Sequence, residues 1–200
     1  MSGSAVLQKG QIVETVTHGV AKDSTYAIIL KNKRGDNMNR LAEVAHKEAC
    51  RFFHGKIMGT EPNIHEIVEL FPKWSVEEAD ALWCAAFVFY CCKKAGMCIP
   101  HKPAQCSLSL AACPAWEEWA KADSRITYVS GSAEPQAGDV VIFNHVFCQS
   151  PHDHMGIVIE VKENTLLVAE GNFNNVSCIV ERKRDAHIRC YIKIPQNFSY

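Results

Sequence analysis

Residues 83–96 (WCAAFVFYCCKKAG) constrain this chain more than any other stretch. Apolar residues recur at helical spacing, Lys93 and Lys94 fall where a last turn would be, and Gly96 supplies a stop, so the stretch predicts a helix. Its start is open by a turn, because residues 75–78 (SVEE) fit a capping box and Asp80 is a second candidate cap. Under either start Cys84 lies near the helix N-terminus. There, unpaired amides and the helix dipole favour a thiolate over a thiol, which makes a cysteine a nucleophile. The alternative is that Cys84 is a small, buried apolar residue, as many helical cysteines are.

A hydrophobic fraction of 48% with 22% charged residues over 200 residues is that of a globular chain able to bury one substantial core. The formal net charge of −1 gives no electrostatic reason to expect nucleic acid or an anionic membrane as partner. The one basic cluster, Arg182-Lys183-Arg184, lies between Glu181 and Asp185 and reads equally well as a solvated strand end. No apolar run reaches membrane-spanning length, and the N-terminus lacks a signal-peptide pattern. Ten cysteines without such a signal predict free thiols in a reducing, cytoplasmic compartment as synthesised. The cysteine spacings lack the paired knuckles of structural zinc, so neither metal nor cofactor is expected.

Residues 1–38 read as an N-terminal extension with a short strand at 26–31 and a turn at 33–36; residues 39–200 read as one folded domain. Residues 39–54 predict an amphipathic helix with Leu41, Val44, Ala45, Ala49, Phe52 and Phe53 on one stripe. A short helix over 64–71 ends at Pro72, residues 99–114 are loop, and 115–121 form a further helix whose Trp116 and Trp119 pack in the core. Beyond residue 130 the texture turns to strands, at 138–143, 154–161, 165–172, 176–184 and 188–194. Short turns between most of them favour an antiparallel meander. Helices first and about five strands second predict an α+β fold.

A nucleophilic cysteine needs a base, and the base needs a group to orient it. His154 opens one strand, and the next ends in Glu170-Gly171-Asn172. Period two puts Glu170 and Asn172 on one face. A three-residue loop, Lys162-Glu163-Asn164, would pair Val161 with Thr165, Gly156 with Glu170 and His154 with Asn172. A two-residue loop would put Glu170 on the opposite face. The apolar pattern supports the first register. It groups Met155, Ile157, Ile159 and Val161 with Leu167 and Ala169, and leaves Val158, Val168 and Leu166 beside the polar set for the Cys84 helix to pack on. Gly156 would leave room for that approach. His145 and His152 sit in the preceding loop and read as exposed loop histidines; His54 and His101 have no strand context.

The ordered set WCAAFV, GDVVIF, HMGIV and EGN, with residues 113–123 (CPAWEEWAKAD), resembles the CHAP branch of the NlpC/P60-type cysteine peptidases and amidases. The resemblance runs from about residue 39 to residue 194. It implies a papain-like fold cleaving amide bonds of peptidoglycan, with Cys84 as nucleophile, His154 as general base and then acid, Glu170 as orienter and Asn172 in support. The Cys84 backbone N–H would hold the oxyanion with a second donor. The chain departs from the family pattern in its many cysteines, a longer loop before His154 and the N-terminal extension. Other readings are the same chemistry on a soluble amide such as a glutathionyl-polyamine conjugate, and a non-catalytic thiol-rich binding module.

Overall fold

A computed structural model describes residues 39–57 and 59–200 of the chain; the strand expected at 26–31 and the turn at 33–36 lie outside the described residues. Among the described residues five helices precede a six-stranded antiparallel sheet, so the fold is α+β as expected, with one strand more than the sequence suggests there.

Helix α1, Arg40–Ala49, begins where Asn39 accepts a hydrogen bond from the Leu41 N–H, and it buries Leu41, Ala45 and Ala49. It is shorter than its stripe predicts. Ser177 on the sheet accepts from the Phe53 N–H and donates to the Ala49 carbonyl, which draws the chain out of the helix. Phe53 stays in the core, while Phe52 adopts a left-handed conformation and is exposed. The helix expected over 64–71 is a single turn, α2, His65–Val68. The capping box at Ser75 and Glu78 is present, yet it starts a separate turn, α3, Val76–Ala79.

Helix α4, Cys84–Lys94, starts with Cys84 as its first residue and ends in Gly96 at φ +91°. Every residue from Cys84 to Cys92 is buried, so this helix runs through the core instead of lying on it. Helix α5, Cys113–Ala122, has Pro114 in its first turn and buries Trp116 and Trp119.

The strands are β1 (Thr127–Ser130), β2 (Val140–Phe143), β3 (His154–Val161), β4 (Thr165–Phe173), β5 (Val176–Lys183) and β6 (Ile188–Lys193), in the spatial order β1-β6-β2-β3-β4-β5. Strands β2 to β5 form the expected meander. β6 leaves it and pairs with β2 and β1 on the far side. β1 is the strand the sequence did not announce; half-exposed and only four residues long, it carries little periodic signal.

The β3–β4 hairpin reaches the expected register by an unexpected route. Near the turn Val161 pairs with Leu166, and the Lys162 N–H donates to the Thr165 carbonyl, so the hairpin closes as a two-residue turn. Alone, that pairing would put Glu170 on the wrong face. A bulge between Val158 and Glu160 leaves Ile159 unpaired, and beyond it Gly156 faces Glu170. The bulge also moves Val161 off the Met155–Ile157 face and into the cluster of Val141, Phe143, Val158, Leu166, Val168 and Tyr191.

That cluster draws on strand residues and Val146, without α4. The helix packs on the opposite face, with Met155, Ile157 and Ala169. The expectation that it would rest on Val158, Val168 and Leu166 is therefore corrected: the longer apolar row, extended by Val140, Ile142 and Ile192, takes the helix. Gly156 has a different purpose too. A side chain there would meet Val168, the Ala169 carbonyl and Glu170, so it clears space for the neighbouring strand. The glycine that admits the helix is Gly171, where an added Cβ would lie 2.3 Å from Phe87 Cβ.

Candidate active site

Cys84 reaches its position because the β4–β5 hairpin docks on the chain just before it. That hairpin turns at Asn174-Asn175, both with positive φ, which two-residue turns require and asparagine tolerates. Asn175 Oδ1 accepts from the Trp83 indole N–H at 2.9 Å and the Ala81 N–H at 3.2 Å, and its Nδ2 donates to Asp80 at 2.7 Å. Asp80, a candidate cap by sequence, thus serves this junction. Helix α4 is left without a side-chain cap, so the first-turn amides lie open beside the Cys84 sulfur.

His154 is 1% exposed and Glu170 fully buried. The imidazole Nε2 and Glu170 Oε2 are 2.8 Å apart, so Nδ1 is the nitrogen left for Cys84. Glu170 also receives Arg182 Nε and Nη2, each at 2.6 Å. Burial pushes the Glu170 pKa up, but Arg182 and His154 more than offset it and hold the carboxyl below its usual range. For His154 burial acts downward; hydrogen bonds to Cys84 and Glu170 outweigh it and raise the imidazole to about 9. The Cys84 thiol is drawn well below its ordinary value, first by the Cys113 thiol, against burial, and then by His154 and the Ala85 N–H. The pair is therefore arranged as thiolate and imidazolium.

Above this pair lies an open cleft of about 400 Å³, lined by Trp74, Leu82, Cys84, Cys113, Asp153 and Asn172 among others. Residues 76–172 match the family model of the CHAP domain. That segment is a CHAP domain. That family is one of peptidases and amidases, and the matched segment contains Cys84, His154, Glu170 and Asn172. No curated protein matches the chain. Among solved structures it is similar to one described as "The crystal structure of Ly7917", at 17% identity and a TM-score of 0.48, covering 79% of this chain and 62% of that one.

Three of the four residues singled out from the CHAP-domain sequence meet: Cys84, His154 and Glu170. Asn172 lines the same cleft, but its side chain is committed elsewhere. The chain bends at Asn172, φ +63°, where the β4–β5 register shifts, and strand alternation fails there. Its Nδ2 donates to the Ala81 carbonyl at 2.8 Å, tying β4 to the loop before Cys84 instead of bracing Glu170.

The brace is Arg182, one of the cluster that reads as a solvated strand end. Its side chain is 16% exposed, and its guanidinium lies near the rings of Phe143, Phe147 and Phe173. Only the cross-strand register distinguishes it from Lys183 and Arg184, and β4–β5 pairing is not legible before the turn is known. The long loop before His154 lays Phe147 edge-on against the imidazole, with ring centres 4.7 Å apart. His152 is half-buried and bonds Glu117, so it is not the exposed loop histidine its setting suggests. The Cys113 sulfur lies 3.6 Å from that of Cys84. All ten cysteines are free thiols. Among the described residues no group of three or more His, Cys, Asp or Glu side chains is placed to hold a metal ion, and no helix is long and apolar enough to cross a membrane.

Proposed function

We propose that residues 39–200 form a cysteine-dependent amide hydrolase acting on bacterial peptidoglycan, as an endopeptidase or an N-acetylmuramoyl-L-alanine amidase. The observation that carries the chemistry is Cys84 at the first residue of α4, beside an imidazole that Glu170 holds through Nε2. The Cys84 thiolate attacks the amide carbonyl carbon. The oxyanion that forms is held by the Cys84 N–H, which has no partner within the helix. The His154 imidazolium gives its proton to the leaving amine, and the acyl group remains on sulfur as a thioester. Neutral His154 then takes a proton from water, whose oxygen attacks the thioester; the acid leaves and the thiolate–imidazolium pair is restored. Glu170 keeps the imidazole in one orientation through both halves, as the third member of such a set does.

The choice of substrate is supported by the family and by the shape of the cleft. Past Trp74 and Ala111 it adjoins a second hollow of about 380 Å³ lined by Lys73, His101, Lys102 and Leu108. An extended peptide with carboxylate side groups fits such a groove better than a compact metabolite does. Mass spectrometry of products from purified peptidoglycan, run beside soluble γ-glutamyl and polyamine amides, tests the reading. New muropeptide ends that vanish in Cys84→Ala support it. Turnover of the soluble amides alone assigns the same chemistry to a soluble substrate, and turnover of neither leaves a binding module.

A further inference from the structure

Cys84 and Cys113 are 29 residues apart in sequence, yet their sulfurs are 3.6 Å apart, and both are the first residue of a helix. Both line the cleft, at 8% and 6% exposure. The remaining cysteines are set apart from them. Cys91 and Cys92 are buried deeper along α4, and burial pushes Cys92, Cys178 and Cys190 up to about 12. Hydrolysis as proposed above needs one thiol in the cleft, so the second calls for its own account.

We propose that Cys113 is a resolving cysteine: a hydroperoxide oxidises Cys84 to a sulfenic acid, and Cys113 captures it as a Cys84–Cys113 disulfide that reversibly closes the site. In the first step the Cys84 thiolate attacks one peroxide oxygen and the O–O bond breaks. The departing hydroxide takes the proton of the His154 imidazolium and leaves as water when the peroxide is hydrogen peroxide. In the second step the Cys113 sulfur attacks the Cys84 sulfur. The S–O bond breaks, and the hydroxyl leaves as water with the Cys113 proton. Two electrons pass from the two sulfurs to the peroxide, and a dithiol returns them by exchange.

The surroundings favour this order of events. The depressed thiol of Cys84 is the one a peroxide meets first, because thiolate character sets reactivity. Cys113 is held well above its ordinary value, chiefly by the contact with Cys84. Oxidation to a sulfenic acid removes that negative neighbour, so Cys113 becomes easier to ionise just when its attack is needed, and the N-terminus of α5 favours the same change. To form the disulfide the sulfurs must close from 3.6 Å to about 2.05 Å.

Treating the full chain with stoichiometric hydrogen peroxide, then mapping peptides by mass spectrometry with dimedone as the sulfenic-acid probe, tests this without reference to hydrolysis. The wild type should give one cross-linked peptide pair joining Cys84 to Cys113, erased by dithiothreitol, and little dimedone adduct. Cys113→Ser should give a several-fold larger dimedone adduct on Cys84, followed by irreversible sulfinic acid. Cys113→Ala should do the same if the serine fails to fold. Wild-type Cys84 trapped by dimedone as fully as in the variants, or cross-linked to another cysteine, would overturn the proposal.

Discussion

Arg182 donates two hydrogen bonds of 2.6 Å to Glu170, and the oxygen that takes the second of them is the one that bonds His154. The Glu170 carboxylate is thus fixed from behind by a half-buried cation that lies near three aromatic rings. Breaking a buried charge pair by removing one partner costs about 3–5 kcal/mol. Because His154 still faces Glu170, Arg182→Met should lower unfolding free energy by roughly 3 kcal/mol, the low end of that range. Urea denaturation measures it, and an unchanged midpoint would show that Glu170 is held by other means.

On the proposed mechanism Glu170 would also set the alkaline limit of activity. His154 contributes most to stability, and is fully imidazolium, below the ordinary histidine value; both are lost as pH rises through about 9. Activity should therefore fall above about 9 as imidazolium is lost, and fall in acid as Cys84 gains a proton. In Glu170→Gln the hydrogen bond and charge that raise His154 are weakened while burial still lowers it, so the alkaline limb should move to lower pH. The loss in kcat/KM should be about 10²- to 10⁴-fold, the range for acid–base groups. An alkaline limb that stays in place would contradict the assignment of Glu170.

The junction before Cys84 predicts a second kind of defect. Asn175→Gly keeps the positive φ of the turn but removes the acceptor of the Trp83 indole N–H and the donor to Asp80. Leaving such a buried donor unpaired costs about 1–3 kcal/mol. The expected kinetic result is a fall in kcat with KM little changed, because Cys84 is misplaced while the cleft walls remain. Steady-state kinetics beside thermal melts check both halves.

Gly171 should tolerate no side chain. Its added Cβ would stand 2.3 Å from Phe87 Cβ, and neither atom can rotate away, so α4 or β4 must shift. Gly171→Ala should cost about 1–3 kcal/mol, as overpacking does. A melting temperature equal to wild type would mean that the helix rides looser on the sheet than described.

The α+β order, a helix carrying Cys84 near its N-terminus and the Cys84–His154–Glu170 set are legible in the sequence because each rests on local pattern: helical periodicity, strand alternation, a hairpin. The helix's own start is not, since Ser75 caps a separate turn and Asp80 serves the Asn175 junction. What depends on the other side of a pairing is not. The two-residue turn and the bulge at Ile159 cancel, so Glu170 faces Gly156 as the apolar pattern asks, while the loop count that seemed to explain it does not hold. Arg182 looks like its basic neighbours until β5 is laid against β4. Asn172 follows strand alternation on paper and leaves it at a positive φ that no composition rule announces. Cys113 is found only when α5 is placed beside α4.

The thiol of Cys84 is the centre of the account, and iodoacetamide titration followed by site mapping tests it most directly. At near-neutral pH Cys84 should be alkylated ahead of the exposed Cys50, Cys98 and Cys148, because its thiol is drawn below the ordinary range. Amide hydrolysis should fall in proportion to the Cys84 label and reach zero at one label per chain, while Cys91→Ser, buried in mid-helix, should largely keep it. Hydrolysis that persists when Cys84 is fully alkylated would contradict the account.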